Sequence, residues 1–181
     1  MTGYDDNNKS FKEKYKIYIY PVILAWIMTM FIRPIVSDGE AMLPTIKDRQ
    51  VIIVSKENYS KNRGVPEFQQ VVAFKKDFIQ DGDKGDNTIR RVIGLPGDKI
   101  QIKDGKVYRN GKTIKENYIS GEIKGDFGPI IVGEEEVFVL GDNRSNSIDS
   151  RDERVGTLDM SLIRGSCKLV IWPLNEFGKI E

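Results

Sequence analysis

Three short segments gather the residues that could do chemistry. Gly39-Glu40-Ala41-Met42-Leu43-Pro44-Thr45 sets a carboxylate and a hydroxyl around a turn-forming proline. Arg90-Arg91-Val92-Ile93-Gly94-Leu95-Pro96-Gly97-Asp98 runs two guanidinium groups into a Pro-Gly turn. Gly141-Asp142-Asn143-Arg144-Ser145-Asn146-Ser147-Ile148-Asp149-Ser150-Arg151 is a dense stretch of acids, amides, hydroxyls and arginines. Taken singly they read as a turn, a strand with its turn, and a polar loop. What the chain lacks narrows the chemistry. It has no histidine, which removes Ser-His-Asp and Cys-His catalysis and His-ligated metal sites. Its one cysteine, Cys167, can form neither an internal disulfide nor a Cys-rich zinc site. Lying in the apolar run 167–172, it reads as a buried structural thiol. Asp81, Asp83 and Asp86 suggest a calcium loop, but the full ligand pattern and closing Glu are missing, and a solvated loop is the better reading. No cofactor motif is visible, and no cofactor is expected.

The elements that must position these segments are mostly β. Among 181 residues, 39% are hydrophobic and 30% charged, the balance of a folded domain. The net charge of +1 disfavours a nucleic-acid partner. Short β-rich runs recur at 51–54, 71–74, 89–93, 99–102, 107–108, 130–132, 137–140 and 168–172. Asp104-Gly105 and Asn110-Gly111 favour tight hairpins, and Leu95-Pro96-Gly97-Asp98 suits a type II turn. Helical periodicity is absent after residue 36. The expected fold is a mostly β, antiparallel, folded-over sheet or partial barrel behind one N-terminal transmembrane helix.

That helix is expected over 17–36, a 20-residue apolar stretch whose only formal charge is Arg33. At 1.5 Å per residue it would reach about 30 Å, enough to cross a bilayer core. It has no polar face and no small-x-small cleavage site after it, so an uncleaved anchor is expected. Pro21 falls in its first turn or so, where proline is tolerated. Lys9, Lys12, Lys14 and Lys16 place residues 1–16 in the cytoplasm and residues 37–181 on the outer face of a cell membrane.

In this order behind an anchor, the three segments resemble the type I signal peptidases of bacteria, in their short single-anchor form. The resemblance continues through Arg49–Lys56 and Gly165–Phe177 and covers essentially the whole chain. It implies a β fold with a Ser/Lys dyad that cuts signal peptides from exported proteins. Such a dyad needs no histidine. A lysine kept neutral by burial takes the serine proton, and backbone N–H groups bind the oxyanion.

The chain departs from that pattern at both catalytic positions. The nucleophile position is Ala41, which carries no hydroxyl, and the base position is Arg90, which stays protonated. The resemblance gives Ser147 the role of orienting the lysine, and Asp149 with Arg151 that of a salt bridge beside the site. It places Gly39, Met42 and Pro44 in the substrate groove and oxyanion region. The spacing from Arg151 to Gly156 is longer than usual. Ser37, Thr45, Lys47 and Lys56 lie near in sequence, but four extended residues span about 13 Å, so they are not expected to replace the dyad. Arg90 must find an acceptor, a carboxylate or water. The expectation is an inactive, membrane-anchored homologue whose partners are signal peptides of exported proteins or an active paralogue, besides the lipid bilayer. Two other readings stay open. One is an active peptidase, with replacement residues or with Ser and Lys at 41 and 90 in the natural sequence. The other is a structural membrane protein with a vestigial groove.

Overall fold

The computed structural model describes residues 6–60, 62–75 and 87–181. The acidic run of Asp81, Asp83 and Asp86 lies outside them. The chain divides into a helical unit ending at Arg33 and a β body, Pro34–Glu181.

The helix α1 spans Asp6–Phe31, and Ile32–Val36 is the strand β1, not the last turn of a helix. This corrects the expected 17–36 helix. Arg33 precedes Pro34, which pushes it out of the α region, and Pro34 brings no N–H to a further turn. Ile35 and Val36 are β-branched and suit an extended chain. The apolar part of α1, residues 17–31, is then about 22 Å long, against a hydrocarbon core of about 30 Å. No helix of the described residues is long and apolar enough to cross a membrane. Pro21 lies inside α1 rather than in its first turn. Its missing N–H leaves the Ile17 carbonyl without that helical partner.

The body is mostly β and antiparallel, as expected. One sheet runs in the order β1, β2 (Val51–Ser55), β11 (Ile163–Trp172), β3 (Val71–Lys75), β4 (Asn87–Gly94), β9 (Glu136–Leu140) and β10 (Leu158–Asp159), with β12 (Gly178–Lys179) also on β11. From β2 to β10 every pairing in that order is antiparallel. A second antiparallel sheet runs β7 (Lys112–Thr113), β6 (Lys106–Arg109), β5 (Lys99–Lys103), β8 (Phe127–Ile131).

The turns have the chemistry the sequence implies. Asp104 and Gly105 have φ of 50° and 71°, and Asn110 and Gly111 have 53° and 79°, the double positive φ of tight hairpins. At the Pro96-Gly97 turn Gly97 has φ 81°, the Asp98 N–H donates to the Leu95 carbonyl at 3.0 Å, and the Leu95 N–H donates to Asp98 Oδ2 at 2.8 Å. Burial alone would raise the Asp98 carboxyl. Arg109, the Leu95 N–H and Asn110 outweigh that and hold it below its ordinary value.

Strand β3 is buried on both faces, which is why Val71 to Phe74 read as a continuous apolar run and not as alternation. Val71 and Ala73 pack into one core cluster with Met42, Ile46, Ile52 and Cys167, while Val72 and Phe74 pack into another with Val92 and Val139. Cys167 is buried, and burial pushes its thiol up to about 12. The first cluster matters for the site because Met42 and Ile46 tie the 39–46 segment to the sheet.

Candidate functional site

Alternation along β4 sends Arg90 and Arg91 to opposite faces, and both then meet the segment after β9. Arg90 donates through Nε and Nη2 to the Ile148 carbonyl at 3.1 and 2.8 Å, and through Nη1 to the Ile89 carbonyl at 2.6 Å. Arg91 makes a fork to Asp142, with Nε–Oδ1 at 2.9 Å and Nη2–Oδ2 at 2.6 Å.

The 39–46 segment joins the same loop. The Ala41 carbonyl accepts the Asn143 N–H at 3.0 Å, and the Glu40 carbonyl accepts Asn143 Nδ2 at 3.1 Å. Thr45 Oγ1 donates to Asp142 Oδ2 at 2.5 Å, and Ser120 Oγ to the Leu43 carbonyl at 2.8 Å. Three stretches far apart in sequence are thus bonded together.

Gly141 is the close-packed centre of this junction. A Cβ there would lie 2.2 Å from Ser147 Oγ and 2.6 Å from the Ala41 carbonyl oxygen. Its N–H donates to Asp149 Oδ2 at 2.9 Å. Asp149 in turn takes a fork from Arg151, both bonds at 2.8 Å, and Arg151 also reaches the Arg144 carbonyl at 2.8 Å. Asp149 is fully enclosed, so this pair braces the loop from inside and is not a surface ion pair. The longer 151–156 stretch closes as a compact turn, with the Val155 and Gly156 N–H groups both on the Asp152 carbonyl at 2.9 Å.

Ala41 and Arg90 line one cavity of about 380 Å³, together with Gly39, Met42, Asn146 and Ile148 among others. Pro44 is exposed and does not line it. Ser147 lies on a neighbouring cavity with Arg144 and Arg151, and its Oγ is buried with no hydrogen-bond partner among the described residues.

The chemistry of the cavity wall is limited. Ala41 offers a methyl, and a guanidinium at Arg90 has no lone pair for a proton. Among the described lining residues there is no lysine, and the hydroxyls are those of Ser37 and Thr88. Ser37 Oγ donates to the Lys47 carbonyl at 2.6 Å and accepts from the Gln50 N–H at 2.9 Å. Lys47 Nζ pairs with Glu176 at 2.5 Å. Among the described residues no group of acids and Cys could hold a metal ion.

The sequence reading missed the network behind the cavity. The Arg91 guanidinium lies 3.9 Å from the centre of the Tyr118 ring and also bonds the Gln69 and Glu181 carbonyls at 2.9 and 2.8 Å. Arg144 forks to Glu116 and bonds the Gly141 carbonyl at 3.0 Å. The available signal was the pair Arg90-Arg91 inside a strand, because period-2 alternation must bury one of two adjacent arginines against a carboxylate.

A family described as "Signal peptidase, peptidase S26" matches residues 12–172. The signal peptidase I of Bacillus licheniformis is 37% identical over 195 aligned residues, covering 100% of both chains. The signal peptidase I S of Bacillus subtilis (strain 168) is 34% identical, covering 94% of each. A crystal structure of a signal peptidase I from Enterococcus faecalis V583 gives a TM-score of 0.44 at 28% identity, over 56% of this chain and 95% of that one. With the matched span running from α1 to the end of β11, the chain belongs to the signal peptidase, peptidase S26, family.

Proposed function

We infer that this protein is a membrane-tethered, non-cleaving member of its family that holds extended peptides in the cavity beside Ala41 and Arg90. The observation that carries the reading is the pair of side chains on that wall. One position has no nucleophile and the other has no base. Loss of a nucleophile or its base costs about 10⁶ in kcat in a serine-protease precedent, and losing both costs about the same. What is left is a cleft with backbone and amide groups on its wall, a setting in which an extended chain can add to sheet edges and seat small side chains. The ligands named by this reading are signal peptides of exported proteins, and an active relative in the same membrane is the partner that would produce them. The full-length protein in detergent, mixed with a preprotein carrying a small-x-small cleavage site, is expected to retain the preprotein and release no product. Product from preparations free of host peptidase overturns the reading.

The tether is the apolar part of α1. Ile17, Trp26 and Phe31 are 72, 64 and 65% exposed, and the stretch has no polar face, so water is a poor surrounding for it. At about 22 Å it is short for a bilayer, a mismatch that local thinning and snorkelling of Lys16 and Arg33 can absorb. The lysines before it favour a cytoplasmic N-terminus, with the β body on the outer face. Membranes from expressing cells are expected to keep the protein through an alkaline carbonate wash. Recovery in the supernatant would show that α1 does not anchor it.

A further inference from the structure

We propose that Arg90 is a latch inside the cleft: its guanidinium occupies a backbone acceptor at a free strand edge, and a peptide must displace it to bind there. The proposal rests on the peptide-holding reading above and says what limits the holding.

The argument starts from the sheet. Strand β3 pairs with β4 along one side, from Lys75 opposite Asn87 to Val71 opposite Arg91. On the other side β9 begins only at Arg91, which faces Leu140. Among the described residues, Asn87 to Arg90 are thus paired on one side only, and all of them line the cavity. In an antiparallel strand successive residues aim their N–H and C=O groups at alternate sides. The Val92 N–H donates to the Gln70 carbonyl at 2.9 Å, and the Val92 carbonyl accepts the Gln69 N–H at 2.8 Å, so Val92 faces the β3 side. Counting back by twos, Arg90 and Thr88 face β3 as well, and Ile89 faces the free side. Ile89 is therefore a residue to which an added strand would bond.

That acceptor is already in use. Arg90 folds back along its own strand and donates through Nη1 to the Ile89 carbonyl at 2.6 Å. Through Nε and Nη2 the same head group holds the carbonyl of Ile148, another residue of the cavity wall, at 3.1 and 2.8 Å. A donor on the Ile89 carbonyl must lie on the side that this carbonyl faces, which is where an added strand would run. The guanidinium is planar and its donors form a rigid fork, so it ties the strand edge to the 146–148 segment. Asp38 and Glu40 line the same cavity, and their carboxylates favour a cation inside it.

A site that is open only part of the time binds more weakly by the open fraction. Swinging Arg90 aside breaks bonds from a charged donor, which water and the peptide replace only in part. The latch is expected to lower affinity for an extended peptide about tenfold or more.

The test uses the full chain in detergent and a fluorescent peptide carrying Ala-x-Ala. Arg90→Met keeps the length of the stem and has no donor for either carbonyl. It is expected to bind the peptide about tenfold or more tightly than the unaltered chain. Arg90→Lys keeps a cation but cannot span both carbonyls, and should gain a smaller amount. Circular dichroism melts accompany each variant, and Arg90→Lys carries the test if Arg90→Met does not fold. A copy of the peptide N-methylated at every residue has lost its strand donors and should gain nothing. Folded variants that bind no tighter than the unaltered chain overturn the proposal and leave the peptide-holding reading standing. An equal gain for the N-methylated copy also overturns it, because the gain would then come from apolar contact and not from the strand edge. Binding by the variants alone supports the latch and overturns holding by the unaltered chain. Binding by none of the chains overturns both readings.

Discussion

The double variant Ala41→Ser, Arg90→Lys is expected to cleave a preprotein with a small-x-small site, at about 10⁴-fold or more above the unaltered chain. Each single variant is expected to stay at background. Ala41→Ser supplies a hydroxyl with no base, because a guanidinium cannot take its proton. Arg90→Lys supplies a base with nothing to deprotonate. The two effects are therefore far from additive. Both positions are held by the fold. Position 41 is held by the Asn143 N–H on its carbonyl and by buried Met42 next to it, and position 90 is fixed by the β3–β4 pairing of Val72 with Arg90. A lysine at 90 would lose the Ile148 contacts of Arg90. Ser147 Oγ, packed against Gly141, lacks a partner among the described residues. Product would be followed on gels beside circular dichroism of each variant. A double variant that is folded and still inert would mean that the cavity differs from a working one at more than these two side chains.

How far the sequence led can be argued from particular residues. Strands β3, β4 and β9 were legible because their apolar runs are buried over most of their length, β2 because Val51 to Val54 are all β-branched, and Gly97, Gly105 and Gly111 marked turns through the positive φ they adopt. The first half of β11 was not legible. Ile163 to Cys167 is a small, polar stretch, and what makes it a strand is the neighbour. A Cβ on Gly165 would lie 1.9 Å from the Ser55 carbonyl oxygen, so the close approach of β2 decides the residue type. The end of α1 was missed for a different reason. Hydropathy treats Ile32 to Val36 like the residues before it, whereas the backbone responds to Pro34. The positions of Ala41 and Arg90 were legible as motif positions, and their sharing one cavity follows from a loop that bonds to both segments. The partnership of Arg91 with Asp142 spans 51 residues, and no local pattern reports a contact of that range.

Removing that partnership on one side is the second large effect expected. Asp142→Ala should destabilise the protein by about 3–5 kcal/mol, lowering Tm by roughly 6–20 °C for a body of this size. Arg91 and Asp142 are 1 and 0% exposed in their side chains, so water cannot take over from the lost partner. The guanidinium would keep its bonds to the Gln69 and Glu181 carbonyls and its stacking on Tyr118, but would lose the only fork that matches its charge among the described residues. Thr45 would lose its acceptor as well, loosening the 39–46 segment. Asp142→Asn should cost less, since an amide oxygen can still accept one of the two bonds. The decisive comparison is Arg91→Met with Asp142→Leu in the same chain. If the pair is needed for its charges, the double variant is as unstable as Asp142→Ala. If the cost of Asp142→Ala comes from stranding a buried cation, the double variant recovers most of the lost Tm, because replacing both ions by apolar groups of similar volume removes the desolvation cost of each. The full enclosure of both side chains favours recovery. Thermal melts of the three variants decide it, and a double variant no more stable than Asp142→Ala would show that the ion pair itself holds the loop to the sheet.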